Sequence, residues 1–181
     1  MTRFAWVMST YFATMGVAVS AFVDLPKKLI WNVTASAPIG LYAVQPPDGI
    51  EITDLAVVAP PEPVASFLEA GGYVPRGVPL MKRVLALAGQ KVCRENLLVT
   101  VDGIAMGTAR ERDSHGRDLP VWQGCRTIAE GEVFLMNWQS ADSLDGRYFG
   151  PLPAKSIVGR ATPLWTDEEG DDRFEWLAPT R

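Results

Sequence analysis

"LLVTVDGIAM", residues 97–106, decides the class of fold. Its two apolar halves meet at Asp102-Gly103, a pair that tolerates the positive φ angles of a tight hairpin turn, so it predicts two antiparallel strands rather than a helix. The same grammar of short apolar runs broken by Pro and Gly recurs on both sides. Further strands are expected at "GLYAV" (40–44), "DLAVVA" (54–59), "LMKRVLAL" (80–87), "EVFLMN" (132–137) and "SIVGRATPLW" (156–165). One short helix is expected over "PVASFLEA" (63–70), closing on Gly71-Gly72. The body of the chain thus reads as mainly β, with little helix.

Ahead of it, "FAWVMSTYFATMGVAVSAFV" carries no charge from Phe4 to Val23. At about 1.5 Å per residue such a helix spans roughly the 30 Å of a bilayer core. It predicts one N-terminal transmembrane helix, with Val19-Ser20-Ala21 as the cleavage site if the segment is a signal sequence instead. The organisation that follows is a membrane anchor or signal segment over 1–23 and a β-rich domain over 24–181. Arg3 argues for an inside N-terminus and Lys27-Lys28 argue against it, so charge leaves the orientation open.

A net charge of −4, with Lys and Arg scattered, provides no basic field for a phosphate backbone, and nucleic acid is not an expected partner. Cys93 and Cys125 suit a disulfide in an oxidising compartment, or two unrelated buried thiols. The single histidine, His115, cannot complete a zinc shell with them, so neither a metal nor a cofactor is expected. "RERDSHGRDLP" (110–120) and the acidic "DEEGDDRFEW" (167–176) read as a polar loop and a solvated tail.

Chemistry concentrates elsewhere. In "WNVTASAPIGLY" (31–42) a lone serine, Ser36, lies between two alanines just ahead of Pro38, where no helix can continue. No G-x-S-x-G element surrounds it, and His115 sits in a charged loop, so a Ser-His-Asp triad is disfavoured. A lysine can activate a serine if it is neutral when it takes the hydroxyl proton. Lys82, in "PLMKRVLALAG" (79–89), lies in apolar surroundings that would lower its pKa. A register shift of one residue would put Lys82 on a solvent face and Arg83 inward, and that alternative stays open.

Taken together, "TASAPIGLY", "PLMKRVLALAGQKV" and "GEVFLMNWQSADSLDGRYFGPLPAKSIVGRATPLW" (131–165) resemble the bacterial type I signal peptidases. They resemble more closely the conjugal-transfer, TraF-type pilin-maturation branch of that clan. The resemblance implies a signal-peptidase-like β-fold of several antiparallel sheets, with Ser36 as nucleophile and Lys82 as general base. It implies that Ser143 orients the lysine, that Asp145 and Arg147 brace the site, and that Thr34 forms an oxyanion hole with the Ser36 N–H. The chain departs from the pattern at Gly146, where serine is usual after the aspartate, and at Ala37. It departs again at Asn137-Trp138-Gln139, which replaces a Gly-Asp-Asn run; Ser140 and Asp142 are read as loop residues.

The implied protein is a serine endopeptidase of the bacterial inner membrane, with its catalytic domain on the periplasmic side and residues 4–23 in the lipid bilayer. Its partner would be a pilin precursor or another membrane-tethered preprotein. That substrate would bind as an added strand in shallow apolar pockets formed near 33–44 and 80–88. The acyl-enzyme would be released by water or by the substrate's own amine, which closes a ring. A general preprotein signal peptidase and a non-catalytic subunit of a secretion complex are the alternatives.

Overall fold

The computed structural model describes residues 2–22 and 29–179. Helix α1 covers Arg3–Phe22. After it come β1 (Leu29–Asn32), β2 (Ile39–Gln45), β3 (Leu55–Val58), helix α2 (Glu62–Ala70), β4 (Leu80–Ala86), β5 (Lys91–Glu95), β6 (Leu98–Val101), β7 (Ile104–Thr108), β8 (Gly124–Thr127) and β9 (Glu132–Leu135). A one-turn helix α3 (Gly146–Phe149), β10 (Leu152–Pro153), β11 (Ile157–Asp167) and β12 (Glu175–Trp176) complete the order.

Among the described residues the strands form two sheets in which every pairing is antiparallel. The larger has the order β1-β2-β11-β3-β4-β9-β10, with β12 on β11, and the smaller has the order β7-β6-β5-β8. The expected hairpin over 97–106 is β6–β7, with Asp102 at φ 48° and Gly103 at φ 82°. The Asp102 carboxylate also accepts the Lys91 N–H at 2.8 Å, which ties the turn to β5.

Strands β3 and β4 are interior, and this settles which residues reach the site. On one face Ala56, Val58 and Val84 pack with Val64 and Leu68 of α2. On the other, Leu55, Val57 and Met81 pack with Tyr42 and Ala37. Ala56 lies opposite Lys82 in register, so side-chain alternation puts Lys82 on the α2 side and Arg83 on the other. Both are 5% exposed. The alternative with a solvent-facing Lys82 therefore does not arise, because β4 has no solvent face here. The small sheet closes the end of the large one, with Val92, Val99, Val101 and Ile128 packed against Phe134 and Met136.

Two expectations are corrected. Among the described residues no helix is long and apolar enough to cross a membrane. Within the run expected to span the bilayer, Ser9, Thr10 and Thr14 are polar but uncharged. The Thr10 and Thr14 hydroxyls turn back onto the carbonyls of Trp6 and Thr10, at 3.0 and 2.9 Å. Val23 and Lys27-Lys28, on which the span and its orientation also rested, lie outside the described residues. The acidic segment 167–176 is not simply a solvated tail. Asp167 is buried, and its carboxylate accepts the N–H groups of Gly170, Asp171 and Asp172, folding the segment into a loop that returns as β12.

Candidate active site

Ser36 sits in the loop that joins β1 to β2, a hairpin whose last pair is Asn32 opposite Gly40. Gly40 has φ +148°, and a Cβ there would lie 2.2 Å from the Trp165 carbonyl oxygen of β11, so only glycine lets the two strands meet at this register. The loop is shaped from within by the buried Asn32 side chain. Its Nδ2 donates to the carbonyls of Thr34, Ala37 and Pro38 at 2.9, 3.0 and 3.0 Å. Its Oδ1 accepts the Thr34 N–H at 3.2 Å and the Thr34 hydroxyl at 3.0 Å. Tyr42 adds a 2.7 Å bond from its hydroxyl to the Pro38 carbonyl. Backbone that would otherwise be free is thus held by side chains, and Thr34 Oγ1 stands 3.5 Å from Ser36 Oγ.

Lys82 approaches from β4. Its Nζ lies 3.4 Å from Ser36 Oγ and donates to Ser143 Oγ at 2.8 Å. Burial lowers its pKa from 10.5 to about 8. Asp145 opposes that shift and Arg147 reinforces it. The two charges act in opposite senses, which leaves desolvation in control.

Ser143, Asp145 and Arg147 are all buried. Asp145 caps α3 by accepting the Arg147 N–H at 3.1 Å, and it takes the Arg147 guanidinium at 2.9 Å on each oxygen. The guanidinium continues to the carbonyls of Ser140 at 2.6 Å and Ser143 at 3.2 Å, which fixes the loop that carries the lysine's partner. Ser140, read as a loop residue, therefore contributes its backbone to the brace. Asp142 is exposed and pairs with Arg110. Gly146 has a packing reason: a Cβ would lie 2.7 Å from both the Leu135 carbonyl oxygen and a Phe134 ring carbon.

Sequence reasoning gave no role to Asn32 or Arg94, and it met Asn137 only as a departure from the family pattern. Arg94, buried on β5, donates to the Arg147 carbonyl at 2.5 Å and so ties the small sheet to α3. Asn137 donates from Nδ2 to the Ser36 carbonyl at 2.6 Å. The signal available for it was its place at the end of the "EVFLMN" run; Arg94 lay in a stretch without alternation.

A groove of about 450 Å³ opens over Ser36, Lys82 and Ser143. Its apolar walls include Ile30, Val33, Leu68, Val74, Leu80 and Leu144. Cys93 and Cys125 face each other across β5 and β8 and are joined by a disulfide. His115 lies in the loop organised by Asp113, whose carboxylate accepts the N–H groups of His115 and Arg117. Among the described residues no group of His, Cys, Asp and Glu is arranged to hold a metal ion.

Residues 1–165 match the family described as signal peptidase, peptidase S26. The chain belongs to that family. Its relatives include a conjugal transfer protein TraF of Agrobacterium fabrum, 38% identical over an aligned length of 146, with coverage of 75% of this chain and 81% of that protein. A plasmid transfer protein TraF of Escherichia coli is 34% identical with the same coverage. A probable signal peptidase I-1 of Synechocystis is 32% identical over 66% of this chain and 55% of its own length. Within the peptidase S26 family, the chain is therefore similar both to conjugal transfer proteins and to a signal peptidase.

Proposed function

We propose that this protein is a serine endopeptidase with a Ser36/Lys82 dyad that matures pilin precursors for conjugative transfer. The observation that carries the proposal is a buried lysine with a pKa near 8 whose amine stands 3.4 Å from a serine hydroxyl. Neutral Lys82 Nζ takes the Ser36 proton as Oγ adds to the scissile carbonyl. The oxyanion is held by the Ser36 N–H and by the Thr34 hydroxyl, which swings from Asn32 Oδ1. The Lys82 ammonium then protonates the departing amine as the C–N bond breaks, leaving an ester on Ser36. Ser143 keeps the amine aimed in both protonation states, since its hydroxyl both accepts and donates.

The acyl group passes to water or to the substrate's own N-terminal amine. The second route needs no new group, because a tethered amine has a high effective concentration against water. The apolar groove suits a small side chain beside the scissile bond and an extended peptide along β1. The protein acts at the periplasmic face of the bacterial inner membrane on membrane-tethered precursors, with the exposed apolar surface of α1 as the part that associates with lipid. A disulfide between Cys93 and Cys125 is consistent with that compartment.

The test is the intact mass of a pilin precursor co-expressed with this protein, beside a Ser36→Ala control. A product one water lighter than the cleaved linear chain, absent from the control, supports a cyclising maturation peptidase. A linear product moves the assignment to a general preprotein signal peptidase, the second reading, which the similarity to the Synechocystis protein favours. Identical products with and without Ser36 would refute the dyad and leave a structural subunit of a secretion complex.

A further inference from the structure

Strand β9 ends at Leu135, before it has covered the stretch of β4 that carries Lys82. Its last main-chain bond to β4 runs from the Met136 N–H to the Arg83 carbonyl, at 2.9 Å. Beyond that point the Asn137 side chain replaces the departed backbone. Its Oδ1 accepts the Arg83 N–H at 2.8 Å, and its Nδ2 donates to the Met81 carbonyl at 3.1 Å. Those are the peptide groups on either side of Lys82. The remaining Nδ2 hydrogen reaches the carbonyl of Ser36 at 2.6 Å, across a sequence separation of 101 residues.

The amide itself is held in place. Asn137 is 3% exposed, its N–H donates to Asp145 Oδ2 at 3.1 Å, and its carbonyl accepts the Ser140 N–H at 3.1 Å. The orientation of the amide is forced, because the flipped form would set NH2 against an N–H and oxygen against two carbonyls. Aspartate would lose both donors, and glutamine would add a methylene in a packed site.

We propose that Asn137 is the positioning residue that sets the separation of Ser36 from Lys82, by locking the nucleophile's own carbonyl to the two peptide groups that flank the base. This rests on the reading of those two residues as nucleophile and base. Each other hydrogen bond named above to a main-chain group of the Ser36 loop comes from within the β1–β2 hairpin, whereas this one crosses to the strand that carries the amine. A misplacement of about 1 Å at such a pair costs on the order of 100-fold in rate.

The test uses the full chain with Asn137→Asp and Asn137→Ala, each with and without Ser36→Ala. Asn137→Asp keeps the acceptor for the Arg83 N–H and removes the donors to Met81 and Ser36. It is expected to fold with reduced stability, since its carboxyl group is buried against two carbonyls, to lose about 100-fold in kcat, and to hold KM within about threefold. A second readout needs no substrate: the Lys82 titration, followed by NMR in 13C-lysine-labelled protein. Ser36→Ala is expected to move that midpoint when Asn137 is present and to leave it unmoved in Asn137→Asp. A folded Asn137→Asp with wild-type kcat would overturn the proposal. So would a Ser36→Ala shift of equal size in both backgrounds. Loss of folding in both Asn137 variants would assign the residue to folding alone and also overturn it. Absence of Ser36-dependent turnover in the wild type, with the NMR coupling as expected, would leave the positioning role standing and remove the peptidase reading.

Discussion

Replacing Lys82 by methionine should separate the stability of this protein from its activity. Burial holds the Lys82 pKa near 8 against 10.5 for the free group. At 1.36 kcal/mol per unit, that displacement corresponds to about 3 kcal/mol of unfavourable burial of the charged amine. Below about pH 8 both folded and unfolded chains hold the proton, and the full cost is present. Between about pH 8 and 10.5 only the unfolded chain keeps it, so stability should rise with pH across that window. Lys82→Met removes the charge with little change in volume, so urea unfolding at pH 7 should find the variant more stable by up to about 3 kcal/mol, with the gap closing towards pH 10. Turnover should be lost in the same variant. In the wild type the neutral fraction rises from roughly 10% at pH 7 to roughly 90% at pH 9, so single-turnover cleavage should increase about ninefold over that interval. A rate flat from neutral to alkaline pH, or a Lys82→Met variant less stable than wild type at pH 7, would refute a neutral buried lysine as the base.

The surrounding groups have separable effects. Arg147→Ala strands the Asp145 carboxylate, which is fully buried, and should cost about 3–5 kcal/mol in urea unfolding. Thr34→Val should lower kcat by roughly 100-fold with little change in KM, whereas Thr34→Ser, which keeps the hydroxyl, should retain most of the rate. Gly146→Ser, which restores the residue usual after the aspartate, should destabilise by about 1–3 kcal/mol, because its Cβ meets the Leu135 carbonyl at 2.7 Å. Cys93→Ala/Cys125→Ala opens a crosslink spanning 32 residues; thermal and urea unfolding should show a loss of up to about 4 kcal/mol, with kcat preserved because the bond lies in the small sheet.

What could be read from the chain and what could not divide along a physical line. β2, β3, β4, β9, β11 and the β6–β7 hairpin were legible because each buries apolar side chains or carries Asp102-Gly103 at its turn. β8 was not: all four of its residues are exposed, and its pairing and the Cys93–Cys125 bond hold it, neither of which leaves a hydrophobic period. β5 hides a buried arginine in a mixed run, and β1 leaves its apolar Leu29 and Trp31 exposed while burying Asn32. The same division runs through the site. Ser36, Lys82, Ser143, Asp145 and Arg147 could be named because their residue types sit in recognisable blocks, and the structure brings them together.

The residues that hold those groups at their distances lie in the same blocks, but their type did not reveal their role. Asn32 and Asn137 act by satisfying main-chain groups where regular pairing stops, one inside a hairpin loop and the other past the end of β9. An asparagine after an apolar run is also an ordinary strand terminator, so its type carries no hint of a partner 101 residues away. The buried amide is informative only once the ladder it completes is known. Sheets that end beside a reactive group leave unpaired peptides at the place where separation must be held tightest, and a side-chain amide can fill that gap while reaching a second element. In this chain the end of β9, the peptides around Lys82 and the carbonyl of Ser36 converge on one such amide, so the precision of the site is tied to where a strand stops.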